Sequence, residues 1–223
     1  MRPSRASASA VTRRLLSAYG HGVWRNPLPP IDELVSTILS QNTNDLNRDR
    51  AFEELRRRFP TWEDVRDAEK AAVVEAIRSA GLANQKGPRI QAVLRGITAE
   101  RGDLDLEFLR EMPPGDVRQW LLNFKGVGPK TAAIVMLFSL GMPAFPVDTH
   151  VFRVTGRLGL RPENVTEEAA HTILEGLFPP ESYTDAHLNL IRHGRQICLA
   201  RRPQCAECVL RDLCNYWRKL SKN

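Results

Sequence analysis

Leu121-Leu122-Asn123-Phe124-Lys125-Gly126-Val127-Gly128-Pro129-Lys130-Thr131-Ala132 sets two glycines, a proline and a lysine between two apolar runs. Gly126 and Gly128, one residue apart, permit a tight turn with φ > 0 and leave backbone N–H groups uncovered. Pro129 suits the first turn of the next helix, where its missing donor costs little. Residues 130–140 are apolar on most sides, which predicts a central, buried helix. A helix start with bare amides is an anion site, and a DNA phosphate is the obvious anion. Taken alone, G-x-G before a helix is equally compatible with an ordinary helix-joining turn.

Outward from this stretch the hydrophobic period is helical. Ile31, Leu34, Val35, Ile38 and Leu39 follow the spacing of one buried helix face. Pro29 and Pro30 precede that run, and Asp32 and Glu33 fall in its first turn, both start signals. Ile90, Val93, Leu94 and Ile97 repeat the pattern after Pro88. Thr61 followed by Asp64 reads as a cap with an acid in the opening turn. Thr166 with Glu167 and Glu168 does the same for a helix carrying Ala170, Ile173, Leu174 and Leu177. Breaks fall at Phe59-Pro60, Gly81, Met112-Pro113-Pro114-Gly115, Gly141-Met142-Pro143 and Pro179-Pro180. Sustained period-two alternation is absent. The pattern predicts an all-α chain of about ten short helices.

The chain has 223 residues, 42% of them hydrophobic, enough for one large domain or two small ones. Its net charge of +6 favours anionic partners, nucleic acid first among them. No apolar run approaches the roughly 18 residues of a membrane span, so no membrane association is expected. Residues 1–14 hold no acid and loosely resemble a transit peptide, but read better as a frayed terminus leading into a first helix. All 4 cysteines lie between Cys198 and Cys214, which argues against a secreted disulfide framework. An intracellular site, cytoplasm or nucleoid, fits.

Cys198, Cys205, Cys208 and Cys214 give the spacing C-x6-C-x2-C-x5-C. Four thiolates so close in sequence suit a set of metal ligands, with zinc the physical rival to an iron–sulfur cluster. The loop between the first two holds Arg201 and Arg202, a candidate phosphate clamp or a solvated charged turn.

The hairpin, the Val147-Asp148-Thr149-His150 segment and this cysteine spacing together resemble the endonuclease III family of base-excision DNA glycosylases. The resemblance runs from about Leu15 to Tyr216. It implies a [4Fe–4S] cluster on the four cysteines, structural in role, and a catalytic pair of Lys130 and Asp148. An amine can attack the sugar C1′, hold it as a Schiff base, and so release the 3′ phosphate by β-elimination. For that it must spend time neutral; the field at a helix start acts in that direction, and Asp148 close by would act against it, so the two influences compete. Asp148 would stabilise the oxocarbenium-like sugar and shuttle protons, or else simply cap the helix carrying Val151 and Phe152. Because the base must be flipped out of the duplex, side chains must fill the gap. The matching segments point to Gln41, Asn42 and Leu82, Leu82 as an apolar wedge. The structural alternatives are a cap role for Asn42 and core packing for Leu82. Pro129 departs from the family by replacing a basic residue.

The resemblance further implies two lobes: residues 31–141 as a helical barrel domain holding the hairpin, and 1–30 with 142–223 as a cluster domain, with DNA lying across the groove between them. The expected function is removal of oxidised pyrimidines by a monomeric glycosylase and AP lyase acting on double-stranded DNA with damaged bases or abasic sites. A mismatch or alkylated-base glycosylase, or a weakly active or non-catalytic DNA-binding paralogue, would use the same scaffold. A plain zinc-binding interaction domain is the reading furthest from these motifs.

Overall fold

The computed structural model describes residues 3–24 and 27–221, which form twelve α-helices and contain no β-strand. The chain divides into two compact units, a continuous one over Pro27–Met142 and a discontinuous one joining Met1–Asn26 to Pro143–Asn223. Helix α1 (Arg5–Tyr19) opens the discontinuous unit. The continuous unit follows with α2 (Pro30–Leu39), α3 (Asp45–Arg58), α4 (Trp62–Asp67), α5 (Lys70–Ala76), α6 (Ala83–Arg101), α7 (Pro114–Leu122) and α8 (Pro129–Ile134). Helices α9 (Thr149–Leu158), α10 (Glu167–Leu177), α11 (Tyr183–Gln196) and α12 (Asn215–Leu220) return to the discontinuous unit.

In the continuous unit α2 is the innermost helix. Every one of its residues except Asp32 is buried. Pro30 stands at its first position, as expected, but Glu33 is drawn wholly inside, where its carboxylate accepts a hydrogen bond from the Thr37 hydroxyl at 3.2 Å. Thr61 caps α4 in a reciprocal box with Asp64, satisfying two amide donors that the helix itself cannot. Helix α6 begins at Ala83, ahead of Pro88, not after it. The proline forfeits one bond near the exposed end, while Ile90, Val93, Leu94 and Ile97 further along are almost completely buried. The helix expected over residues 130–140 is α8 continued by a π-helical turn over Val135–Ser139, after which Gly141 turns the chain with φ +67°.

In the discontinuous unit α11 packs on both α1 and α9. The amino terminus is more ordered than a frayed end: Ser4 caps α1, and Ala8, Val11 and Leu15 are fully buried. Met1 and Arg2 lie outside the described residues. Thr166 caps α10 through the Ala169 amide at 3.1 Å, as its sequence predicts. Phe145 stacks on Phe178 with ring centres 4.8 Å apart and meets Tyr183 edge-on. The segment leading to Asp148 is held from below by two buried histidines. His171 and His187 donate their Nδ1–H to the carbonyls of Phe145 and Pro146 at 3.1 and 2.9 Å. Among the described residues no helix is long and apolar enough to cross a membrane.

Candidate active site and metal centre

The hairpin between α7 and α8 uses its two glycines differently. Gly126 adopts φ +106°, a conformation an L side chain rarely takes, and a Cβ there would lie 2.4 Å from Cγ of Arg89. Gly128 is extended at φ −98° and faces open space, so the left-handed turn that the pair permits is made at Gly126 alone. It precedes α8 with no side-chain cap, and Pro129 occupies the first helical position. Lys130 follows in that first turn, partly exposed, while Thr131 through Ile134 are buried.

Two loops of the same unit carry the candidate gap-filling residues. Gln41 is partly exposed, and its Oε1 accepts from Arg89 Nη1 at 2.7 Å. Asn42 is exposed and left-handed at φ +52°. It does not cap α3: that role falls to Asn44, which accepts from the Asn47 amide at 2.8 Å. Leu82 is 46% exposed with φ +49°, which overturns the core-packing alternative. Sequence reasoning missed Lys86. It is 1% exposed, and its Nζ donates to the Leu39 carbonyl at 2.7 Å and the Ala80 carbonyl at 2.8 Å. Burial pushes its ammonium down to about 8, and Arg89 acts in the same direction. A signal was available: Lys86 lies four residues before Ile90, on the buried face of α6.

Asp148, in the discontinuous unit, realises the capping role: its Oδ1 accepts from the Val151 amide at 2.7 Å. The side chain remains partly exposed. Lys130 and Asp148 therefore stand on different units, each at the start of a helix.

The four cysteines do come together. Cys198, Cys205, Cys208 and Cys214 line one cavity with Arg157, Tyr216 and Trp217. Arg157, from α9, staples the first loop of this cavity: its guanidinium donates to the carbonyls of Leu199 at 2.6 Å and Ala200 at 3.0 Å, and to the Cys198 sulfur at 3.3 Å. Arg153 adds bonds to the carbonyls of Cys198 and Gly194. The Leu210 amide donates to the Cys208 sulfur at 3.4 Å, and buried His193 joins that sulfur to the Tyr19 hydroxyl. Neither arginine nor His193 was singled out from the sequence, because nothing local marks a partner so distant in the chain.

The donor set fits a cluster. Burial raises the Cys205 thiol and pushes Cys208 up to about 11, with neighbouring cysteines adding to both shifts. Four sulfurs gathered in one apolar cavity as thiolates require a cationic centre to hold them. Four thiolates are the donor set that a [4Fe–4S] cluster would take, one on each iron, and all four cysteines line the one cavity. Arg201 and Arg202 are exposed on the loop between Cys198 and Cys205, Arg202 with φ +52°.

An all-helical chain with this hairpin and this cysteine cavity is a helix–hairpin–helix protein with an iron–sulfur centre. Comparison with known proteins narrows the class. A family model for HhH-GPD superfamily base excision DNA repair proteins matches residues 35–180, and one for the iron–sulfur binding domain of endonuclease III matches residues 198–214. The chain is 42% identical over 168 residues to a putative DNA glycosylase of Arabidopsis thaliana, covering 75% of this chain and 57% of that longer protein. It is 34% identical over 213 residues to endonuclease III of Sulfolobus acidocaldarius, covering 95% of this chain and 92% of the relative. A solved structure of a trapped endonuclease III–DNA covalent intermediate superposes with a TM-score of 0.82 at 26% identity, over 98% of this chain and 99% of that one. The chain belongs to the HhH-GPD superfamily of base-excision DNA repair proteins, within its endonuclease III family. It is a DNA-binding repair enzyme, a DNA glycosylase and AP lyase, with a [4Fe–4S] cluster as cofactor.

Proposed function

We propose that this enzyme removes oxidised pyrimidines from double-stranded DNA, with Lys130 as the nucleophile. The neutral Nζ attacks C1′ of the extruded nucleotide, the glycosidic bond breaks, and the base leaves with the bonding electrons and takes up a proton. The nitrogen gives up one proton, and the C1′–O4′ bond opens with O4′ taking up a proton. The resulting iminium, which keeps one N–H, acidifies the C2′ hydrogen so that it is abstracted. The C3′–O bond then breaks and the 3′ phosphate departs; water releases the enzyme by hydrolysing the imine. Asp148 stabilises the positive charge that develops on the sugar and carries protons. Its hydrogen bond from the Val151 amide fixes the carboxylate at the start of α9.

The observation that carries this reading is the position of Lys130, partly exposed in the first turn of α8 directly after the hairpin. The solved endonuclease III trapped as a covalent intermediate with DNA supports the same chemistry. Gly126 and Gly128 present backbone amides to a phosphate, and Gly128, lacking a Cβ and facing open space, lets that phosphate approach closely. Gln41, Asn42 and Leu82 fill the gap left by the flipped nucleotide; the exposure of Leu82 and Asn42 supports this. Arg201 and Arg202 hold the backbone on the cluster loop. The cluster organises that loop and takes no part in the bond changes. The enzyme acts as a monomer in the compartment that holds the DNA.

Borohydride trapping on duplex DNA containing oxidised thymine tests the assignment. A covalent adduct is expected with the wild type and none with Lys130→Ala. Absence of a wild-type adduct on every damaged or abasic duplex would overturn the lyase chemistry. Faster excision of mismatched thymine or an alkylated purine would overturn only the lesion class.

A further inference from the structure

Lys86 is an unexpected residue to bury. A lysine ammonium away from water is costly unless its protons are used, and an aliphatic side chain would fill the same space at less cost. Its protons are used on two carbonyls in equivalent places. Leu39 ends α2, two residues before Gln41; Ala80 ends a short turn, two residues before Leu82. Carbonyls at such ends lack helical partners, and one cation serves both. The loops that leave from these points are strained, since Asn42 and Leu82 hold left-handed conformations without being glycine. Strain of this kind persists only where the surroundings over-determine it. One turn further along α6, Arg89 holds Oε1 of Gln41 and lies against Gly126 of the hairpin. The start of α6 thus ties both loops and the hairpin together within the continuous unit.

We propose that Lys86 is a positioning residue for nucleotide extrusion: its buried side chain locks the loop of Gln41 and Asn42 to the loop of Leu82, so that they enter the DNA as one rigid wedge. This rests on the gap-filling role assigned above to those three residues. Lys86 touches neither substrate nor reacting atoms in this scheme. It lowers the cost of holding the duplex open, a cost that a single-stranded substrate does not impose.

The test compares excision of oxidised thymine in duplex and in single-stranded DNA by the cluster-loaded enzyme. Lys86→Met, which keeps the length but removes the donors, is expected to lower the duplex to single-strand rate ratio about tenfold or more, the scale of losing charge-assisted hydrogen bonds. Leu82→Ala should lower the same ratio. Should Lys86→Met fold poorly, Lys86→Gln takes its place. In either variant, amide hydrogen exchange should quicken at residues 40–45 and 81–85 together, with the rest of α2 and α6 unchanged. An equal fall on both substrates, or exchange that quickens throughout α2 and α6, means a purely structural lysine and overturns the proposal. If Leu82→Ala lowers the ratio and both Lys86 variants leave it alone, the positioning role alone falls. If Leu82→Ala leaves the ratio unchanged, the gap-filling reading fails and the proposal goes with it.

Discussion

Between residues 27 and 142 nearly every helix hides an apolar face, whereas residues 198–214 bury only Leu210 and Cys214. The first region is ordered by its own core: α2 is almost wholly enclosed, and α6 and α8 each bury a continuous face. The second consists of a mostly exposed loop and two 3-10 turns, Cys205–Glu207 and Arg211–Leu213, joined through Cys208, Val209 and the buried Leu210. Fixing a residue's backbone costs about 1–2 kcal/mol, and so little burial cannot offset that for a whole segment. What holds it instead is polar and metallic: the guanidinium of Arg157 on three groups of the first loop, and a cluster drawing four thiolates into one cavity. The lesson is that a segment with almost no core can still carry a precise surface if a bound centre replaces burial. That is the setting of Arg201 and Arg202.

The largest effect expected from this contrast follows loss of the cluster. Cys208→Ser, or iron removal by a chelator, should strip hydrogen-exchange protection from residues 198–214 while the amides of α2 and α8 stay protected. A tail that keeps its protection without iron would break the contrast. Next in size, Leu94→Ala should lower the stability of the continuous unit by about 2–5 kcal/mol, as deletion of a fully enclosed leucine does. Denaturant unfolding measures it, and the iron-to-protein ratio should not move. A fall in iron content would show that the two regions do not keep order independently. Smallest is a pair within the hairpin. Gly126→Ala should cost about 1–3 kcal/mol, from its left-handed backbone and the crowding with Arg89. Gly128→Ala, extended and uncrowded, should leave stability within about 1 kcal/mol while weakening DNA binding, if its open side is where a phosphate comes close. Equal thermal losses for the two alanines would contradict the distinct conformations.

Much of this molecule is written locally in its chain. The helical period of α2 and α6, the caps at Thr61 and Thr166, the prolines opening α2 and α8, and the glycine and proline breaks all act over three or four residues. Such signals survive without any knowledge of the fold, because the hydrogen bonds and side-chain contacts behind them lie within one helical turn. The cysteine spacing belongs with them, since a short loop brings its own ligands together. Other features were decided only by the assembled structure. Lys86 and Glu33 are charged residues on buried helix faces, and whether a charge can stay there depends on partners the chain must fold to supply. Leu82, which the sequence leaves as either a wedge or a core leucine, stands in solvent, and Asn44, not Asn42, caps α3. Arg153, Arg157 and His193 reach the cysteine loops from residues far off in sequence. Local period and cap chemistry determine where helices begin and run; packing between distant segments determines which polar groups are enclosed, and therefore which can hold a loop in place.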